Sequence, residues 1–95
     1  MKPLDGIKII DLSTLLPGPM ATLILAEAGA EVIKIERPGG EDMRRSPPFI
    51  DGESVLFGLL NKGKRSIELD IKSEEGFNKV INLIKSADIV IDQFR

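Results

Sequence analysis

Cysteine and histidine are both absent from this 95-residue sequence. The first absence excludes disulfides, thiolate zinc sites and a cysteine nucleophile. The second removes the usual general base and the commonest transition-metal ligand, so most simple catalytic machinery is missing and no metal is expected. An excess of either charge is lacking too: 13 basic and 15 acidic residues leave a formal net charge of -2. That balance argues against a general binder of nucleic acid or of anionic membranes, and any bound anion must be met locally. No apolar run approaches the ~18 residues that span a bilayer. The Met1-Lys2 start lacks the apolar stretch of a secretory leader, so a cytoplasmic location is the expectation.

What is present is the composition of a folded protein: 42% hydrophobic and 29% charged residues, with no low-complexity tract, which decides against disorder. The length suits one domain with a modest core.

The pattern along the chain alternates strands with helices. Residues 6–12, GIKIIDL, follow the breakers Pro3 and Gly6 and are rich in β-branched residues, which predicts a buried strand. The turn Leu15-Leu16-Pro17-Gly18-Pro19 predicts a helix that starts near Pro19, because a proline loses nothing at the first helical position. Its body is apolar nearly all round, which predicts cover on more than one side, with Gly29 as the stop. Residues 31–36, EVIKIE, alternate as a second strand; a helical crossover makes two such strands parallel. Residues 38–53 read as a long surface loop. Residues 54–60 read as a short apolar helix capped by Ser54, with a strand as the alternative. Residues 66–71 alternate as a third strand. Ser73 caps an amphipathic helix marked by Phe77, Val80, Ile81 and Ile84, and residues 88–92 form a fourth strand. The fold class is α/β: a Rossmann-like parallel sheet with flanking helices, here an incomplete portion of a larger domain.

Three stretches carry candidate chemistry. Free N–H groups and the dipole at the start of the first helix would attract a phosphate, with Gly18 admitting close approach; the same residues also serve as plain punctuation. Some 20 residues later stand Glu36 and Arg37, where dinucleotide folds place an acid for the ribose hydroxyls or an arginine for a ribose phosphate. Arg37 favours a phosphorylated ribose, as in NADP or coenzyme A. Lys72 follows the third strand at the ligand-binding edge of the sheet, whereas Lys62, Lys64 and Arg65 precede that strand and read as a solvated turn. The carboxylates are scattered, mostly surface charges, with no pair spaced for acid–base work.

The strings LDGIKIIDLSTLLPGPMATLILAEAGAEVIKIERPGGEDMRR, NKGKRSIELDIKSEEG and ADIVIDQFR together resemble the N-terminal segment of the family III coenzyme A transferases, across essentially the whole chain. The resemblance implies a Rossmann-like domain that binds coenzyme A as acyl-CoA or free CoA, and a full-length protein of two interlocked subunits. It implies ligand contacts at Leu16 and Pro17, at Arg37, at Leu69, Asp70, Ile71 and Lys72, and at Gln93, Phe94 and Arg95. Ala28 stands where the family commonly has Leu, and Gln93 where Asn is frequent. The family's nucleophilic aspartate, which attacks the thioester carbonyl, has no counterpart in these residues. The expectation is therefore a coenzyme A-binding portion, inactive alone, that works with a complementary chain; the alternatives are a free-standing nucleotide-binding module and a remnant without function.

Overall fold

The computed structural model describes residues 1–93. Four parallel strands form the sheet: β1 (Lys8–Asp11), β2 (Glu31–Glu36), β5 (Arg65–Glu68) and β6 (Ile89–Ile91). Their spatial order is β5-β2-β1-β6, with Ile9 in register with Val32 on one side and with Ile89 on the other. The sequence grows outward from β1 to β5, then returns to the far side of β1. That reversal puts a crevice between the carboxyl ends of β1 and β6, the place where open α/β sheets bind ligands.

Helix α1 (Pro17–Glu27) links β1 to β2, and α3 (Glu74–Lys85) links β5 to β6. The two faces of the sheet are covered differently. Ile10, Ile33 and Ile35 pack with Val80, Leu83 and Ile84 of α3. Ile9, Val32 and Ile91 pack with Leu25 and Ala26 of α1. Each such buried aliphatic side chain contributes roughly 1.5–3 kcal/mol relative to exposure. Ser73 caps α3 by accepting the Gly76 N–H at 3.0 Å, and Glu74 and Glu75 face the positive end of the helix.

Several expectations shift. The first strand is shorter than residues 6–12, and the third ends at Glu68, which leaves Leu69 to begin the following turn. Helix α1 starts at Pro17 rather than Pro19, with Leu16 as N-cap. It ends as expected at Gly29, whose φ of 107° is disfavoured for a residue with a side chain. Its cover is one-sided: Pro19 and Thr22 are buried, but Met20 and Ile24 are exposed. Phe77 is also exposed, so the α3 stripe that meets the sheet is narrower than its periodicity implied.

The stretch 38–53 is more structured than a plain loop. It holds a 3-10 turn, Asp42–Arg45, and a hairpin of β3 (Phe49–Ile50) with β4 (Glu53–Ser54). At the hairpin tip Asp51 and Gly52 both have positive φ, as a tight two-residue turn requires. Helix α2 (Val55–Leu60) follows, and Ser54 accepts the Phe57 N–H at 3.3 Å.

Candidate functional site

All four sheet strands point their carboxyl ends the same way, so the segments that leave them meet along one edge. A cavity of about 440 Å³ opens there, within the size range of small-molecule sites. Leu12 and Thr14 line it beyond β1. Ile35, Glu36, Arg37 and Pro38 line it at the end of β2, and Glu41 and Asp42 beside them. Leu69, Asp70, Ile71 and Lys72 line it beyond β5.

Two cations face this cavity. Arg37 donates from its guanidinium to the Asp42 carboxylate, which Arg45 also contacts at 3.1 Å. Both arginines and Asp42 are largely exposed, so these pairs are screened and an incoming phosphate can replace Asp42 at little cost. Lys72 makes no ion pair among the described residues. Its backbone N–H donates to Asp70 Oδ1 at 3.0 Å, which fixes the turn after β5.

The carboxylates near the cavity are committed to internal partners. Glu36 is buried, which opposes its ionisation. Hydrogen bonds from Arg44 (2.6 Å to each oxygen), Ser66 and the Glu41 N–H (3.0 Å), with the Arg44 charge, outweigh burial and lower its pKa from 4.5 to about 2. The Arg44 guanidinium in turn lies over the Phe57 ring, 3.9 Å from its centre. Glu36 therefore has no free lone pairs for ribose hydroxyls, and the role that its position suggested does not fit.

Deeper in, two buried lysines brace the turn between β1 and α1. Lys34 Nζ donates to the Ser13 carbonyl at 2.9 Å and pairs with Glu41 Oε1 at 3.1 Å, both side chains being 1% exposed. Glu41 Oε2 accepts the Leu15 N–H at 3.0 Å. On the other side, Lys64 donates to the Pro19 carbonyl (2.9 Å) and to Asn61 Oδ1 (2.8 Å), and lies 3.4 Å from Asp11 Oδ2. Asp11 also accepts from Thr22 Oγ1 (2.6 Å), from the Ser13 N–H (2.8 Å) and from the Ser13 hydroxyl. Burial pushes the Lys64 ammonium below its usual pKa, with Asp11 opposing the shift.

Of the sequence-predicted site residues, Arg37, Leu69, Asp70, Ile71 and Lys72 come together around the cavity. Leu16 and Pro17 do not line it. They sit exposed at the start of α1, and Leu12 and Thr14 take the wall position instead. Gln93 reaches the same turn from β6, its Nε2 donating to the Thr14 carbonyl at 2.8 Å. Phe94 and Arg95 lie outside the described residues.

The first turn of α1 is a poor phosphate cradle. Pro17 and Pro19 have no N–H, so Gly18 is the only donor among the first three helical residues. The space over Gly18 is filled by Ser13 and Gln93, which a Cβ there would overlap, and is closed to a ligand. Lys64, read as solvated, is buried, as is Glu41. A strand buried on both faces must pair its polar residues, and the Lys34 and Glu36 positions in β2 were the signal for that requirement.

A sequence model of CoA-transferase family III matches residues 4–95. The chain belongs to this family. Among curated family III CoA-transferases, it is 41% identical to the succinyl-CoA:mesaconate CoA-transferase of Haloarcula hispanica, covering 100% of this chain and 25% of the relative. It is 45% identical to the succinyl-CoA:glutarate CoA-transferase of Mus musculus, covering 99% and 22%. It is also 45% identical to the formyl-CoA:oxalate CoA-transferase of Escherichia coli, covering 97% and 23%. The crystal structure of a CAIB/BAIF family protein from Brucella suis superposes with a TM-score of 0.92 at 41% identity, over 98% of this chain and 26% of that one. The chain thus spans about a quarter of the length of the relatives it matches.

No helix among the described residues is long and apolar enough to cross a membrane, and among the same residues no cluster of acidic side chains is arranged to hold a metal ion.

Proposed function

We propose that this chain forms the coenzyme A-binding part of a family III CoA-transferase, an enzyme that moves CoA between an acyl-CoA thioester and a carboxylic acid. The observation that carries the reading is the cavity at the carboxyl edge of the sheet, flanked by Arg37 and Lys72, whose charges suit the phosphates of the nucleotide end. Apolar wall residues Leu12, Ile35, Leu69 and Ile71 suit an adenine ring between them. Family membership supports this chemistry, and relatives named for succinyl-CoA, formyl-CoA and fatty acyl-CoA support an acyl-CoA as the class of substrate. The nucleophilic carboxylate comes from residues outside this chain, so the chain alone binds without reacting. The full-length assembly is an interlocked pair of subunits in the cytoplasm.

Titration calorimetry of the chain with coenzyme A and with 3′-dephospho-coenzyme A tests this. Arg37→Ala is expected to weaken coenzyme A about tenfold or more and to leave the dephosphorylated ligand unchanged, since only the former presents a ribose phosphate to a guanidinium. Equal losses for both ligands, or no binding of either by the unmodified chain, would overturn the reading.

A further inference from the structure

The Lys34–Glu41 pair is fully buried, with Lys34 set between the core residues Ile33 and Ile35 of β2. Taking two charges out of water is unfavourable, and such a pair is weak evidence for stability. Its contacts suggest another use. Lys34 holds the carbonyl of Ser13, and Glu41 holds the N–H of Leu15, the residues on either side of Thr14. Leu15 has a φ of 64°, a left-handed conformation that few residues with a side chain adopt unaided. Thr14, between the two clamped groups, forms part of the cavity wall, and Glu41 lines the same cavity. From the opposite side Gln93 grips the Thr14 carbonyl.

We infer that Lys34 and Glu41 are positioning residues for the ligand site: the buried pair clamps the backbone at Ser13 and Leu15 so that Thr14 is presented as a fixed wall of the cavity. Each half needs the other. Glu41 supplies the acceptor that secures the Leu15 N–H, and Lys34 supplies the charge that lets this carboxylate stay buried while it ties down the Ser13 carbonyl. The inference rests on the coenzyme A reading for the identity of the ligand, but not for the clamp itself.

Two double variants separate the acceptor from the charges. Lys34→Met with Glu41→Leu removes both charges and the acceptor, whereas Lys34→Met with Glu41→Gln removes the charges and keeps a carbonyl oxygen for Leu15. Hydrogen exchange followed by NMR reads the clamp directly, because the Leu15 amide is protected only while its bond is made. In the unmodified chain this amide is expected to exchange at least ~100-fold more slowly than its intrinsic rate. The Met/Leu variant should exchange it about tenfold faster than the unmodified chain and bind coenzyme A about tenfold more weakly, while the Met/Gln variant regains the Leu15 protection but, with Lys34 gone from the Ser13 carbonyl, recovers only part of the affinity. An unprotected Leu15 amide in the unmodified chain overturns the inference whether or not either variant folds. So does equal protection in the Met/Leu variant and the unmodified chain, or equal affinity for coenzyme A. If the unmodified chain binds no coenzyme A, the functional reading falls, and the exchange comparison still decides whether the pair holds the turn.

Discussion

Replacing Gly76 by alanine sets two effects of opposite sign against each other. Gly76 is the third residue of α3, and helix propensity alone favours alanine by about 0.5–1 kcal/mol. A Cβ at this position would overlap the Asp70 carbonyl, with the carbonyl carbon at 2.6 Å and Ser73 Oγ at 2.9 Å. Most of these atoms are backbone, and the Ser73 hydroxyl is the helix cap, so nothing near can swing aside. Either α3 lifts from the turn after β5 or that turn shifts. Overpacking of this kind costs about 1–3 kcal/mol, and losing the Ser73 cap adds about 1 kcal/mol. The clash wins, with a net loss of about 2 kcal/mol expected.

Gly58→Ala is the control. Gly58 lies in α2 with nothing within 4 Å of the place a Cβ would take, so propensity acts alone and stability rises by about 0.5 kcal/mol. Urea unfolding of both variants, at equal slope, reads the difference as a shift in midpoint. Because Asp70 lines the cavity, Gly76→Ala should also weaken the binding of coenzyme A. A Gly76→Ala chain as stable as the unmodified one, beside a stabilised Gly58→Ala, would refute the steric reasoning.

Further outcomes are expected. Glu36 has its folded pKa lowered to about 2 from 4.5; a carboxylate shifted down stabilises the fold above pH 4.5 and loses that contribution as the pH falls from there through 2. The shift corresponds to about 3 kcal/mol at most, and screening at the partly exposed Arg44 brings it to about 2 kcal/mol. Unfolding free energies measured from neutral pH downward should therefore fall more steeply for the unmodified chain than for Glu36→Gln, and parallel curves would exclude this role. Gly18→Ala pushes a methyl group against Ser13 Oγ at 2.5 Å and Gln93 Oε1 at 2.6 Å, so a loss of about 1–3 kcal/mol is expected in thermal unfolding; an unchanged midpoint would mean that the β1–α1 turn adapts freely.

The sheet was legible because its signals are local. The β-branched run around Ile9 and Ile10, the alternation of 31–36, the Ser73 cap and the spacing of Val80 and Ile84 each lie within one element, and each appears where expected. The cavity-lining part of the site followed from them, since strand ends in a parallel sheet share one edge: Arg37 and the turn from Leu69 through Lys72 needed only that rule. The β3–β4 hairpin was illegible because two-residue strands are too short to show a period. The buried charges were illegible for a different reason. Lys64 meets Asp11 from 53 positions away, and nothing near either residue in the chain announces the other. Helix α1 misled through its composition: an apolar surface of Met20 and Ile24 signals cover, but the described residues leave those side chains exposed.

The strand order also governs the sequence of events by which the sheet closes. Pairing β1 with β2 joins Ile9 to Val32, 23 positions away, whereas pairing β1 with β6 joins Ile9 to Ile89, 80 positions away. The longer closure costs about 1 kcal/mol more chain entropy, and it gains little until β1 is already held. The β1–α1–β2 unit is thus the place where assembly starts, and β6, with Gln93 behind it, docks last. Pulse-labelled hydrogen exchange during refolding should protect amides of β2 before those of β6, and simultaneous protection would contradict that order. The crevice between β1 and β6 is in this sense the final part of the molecule to come into being, and with it forms the Gln93 bond that holds the Thr14 carbonyl in the cavity wall.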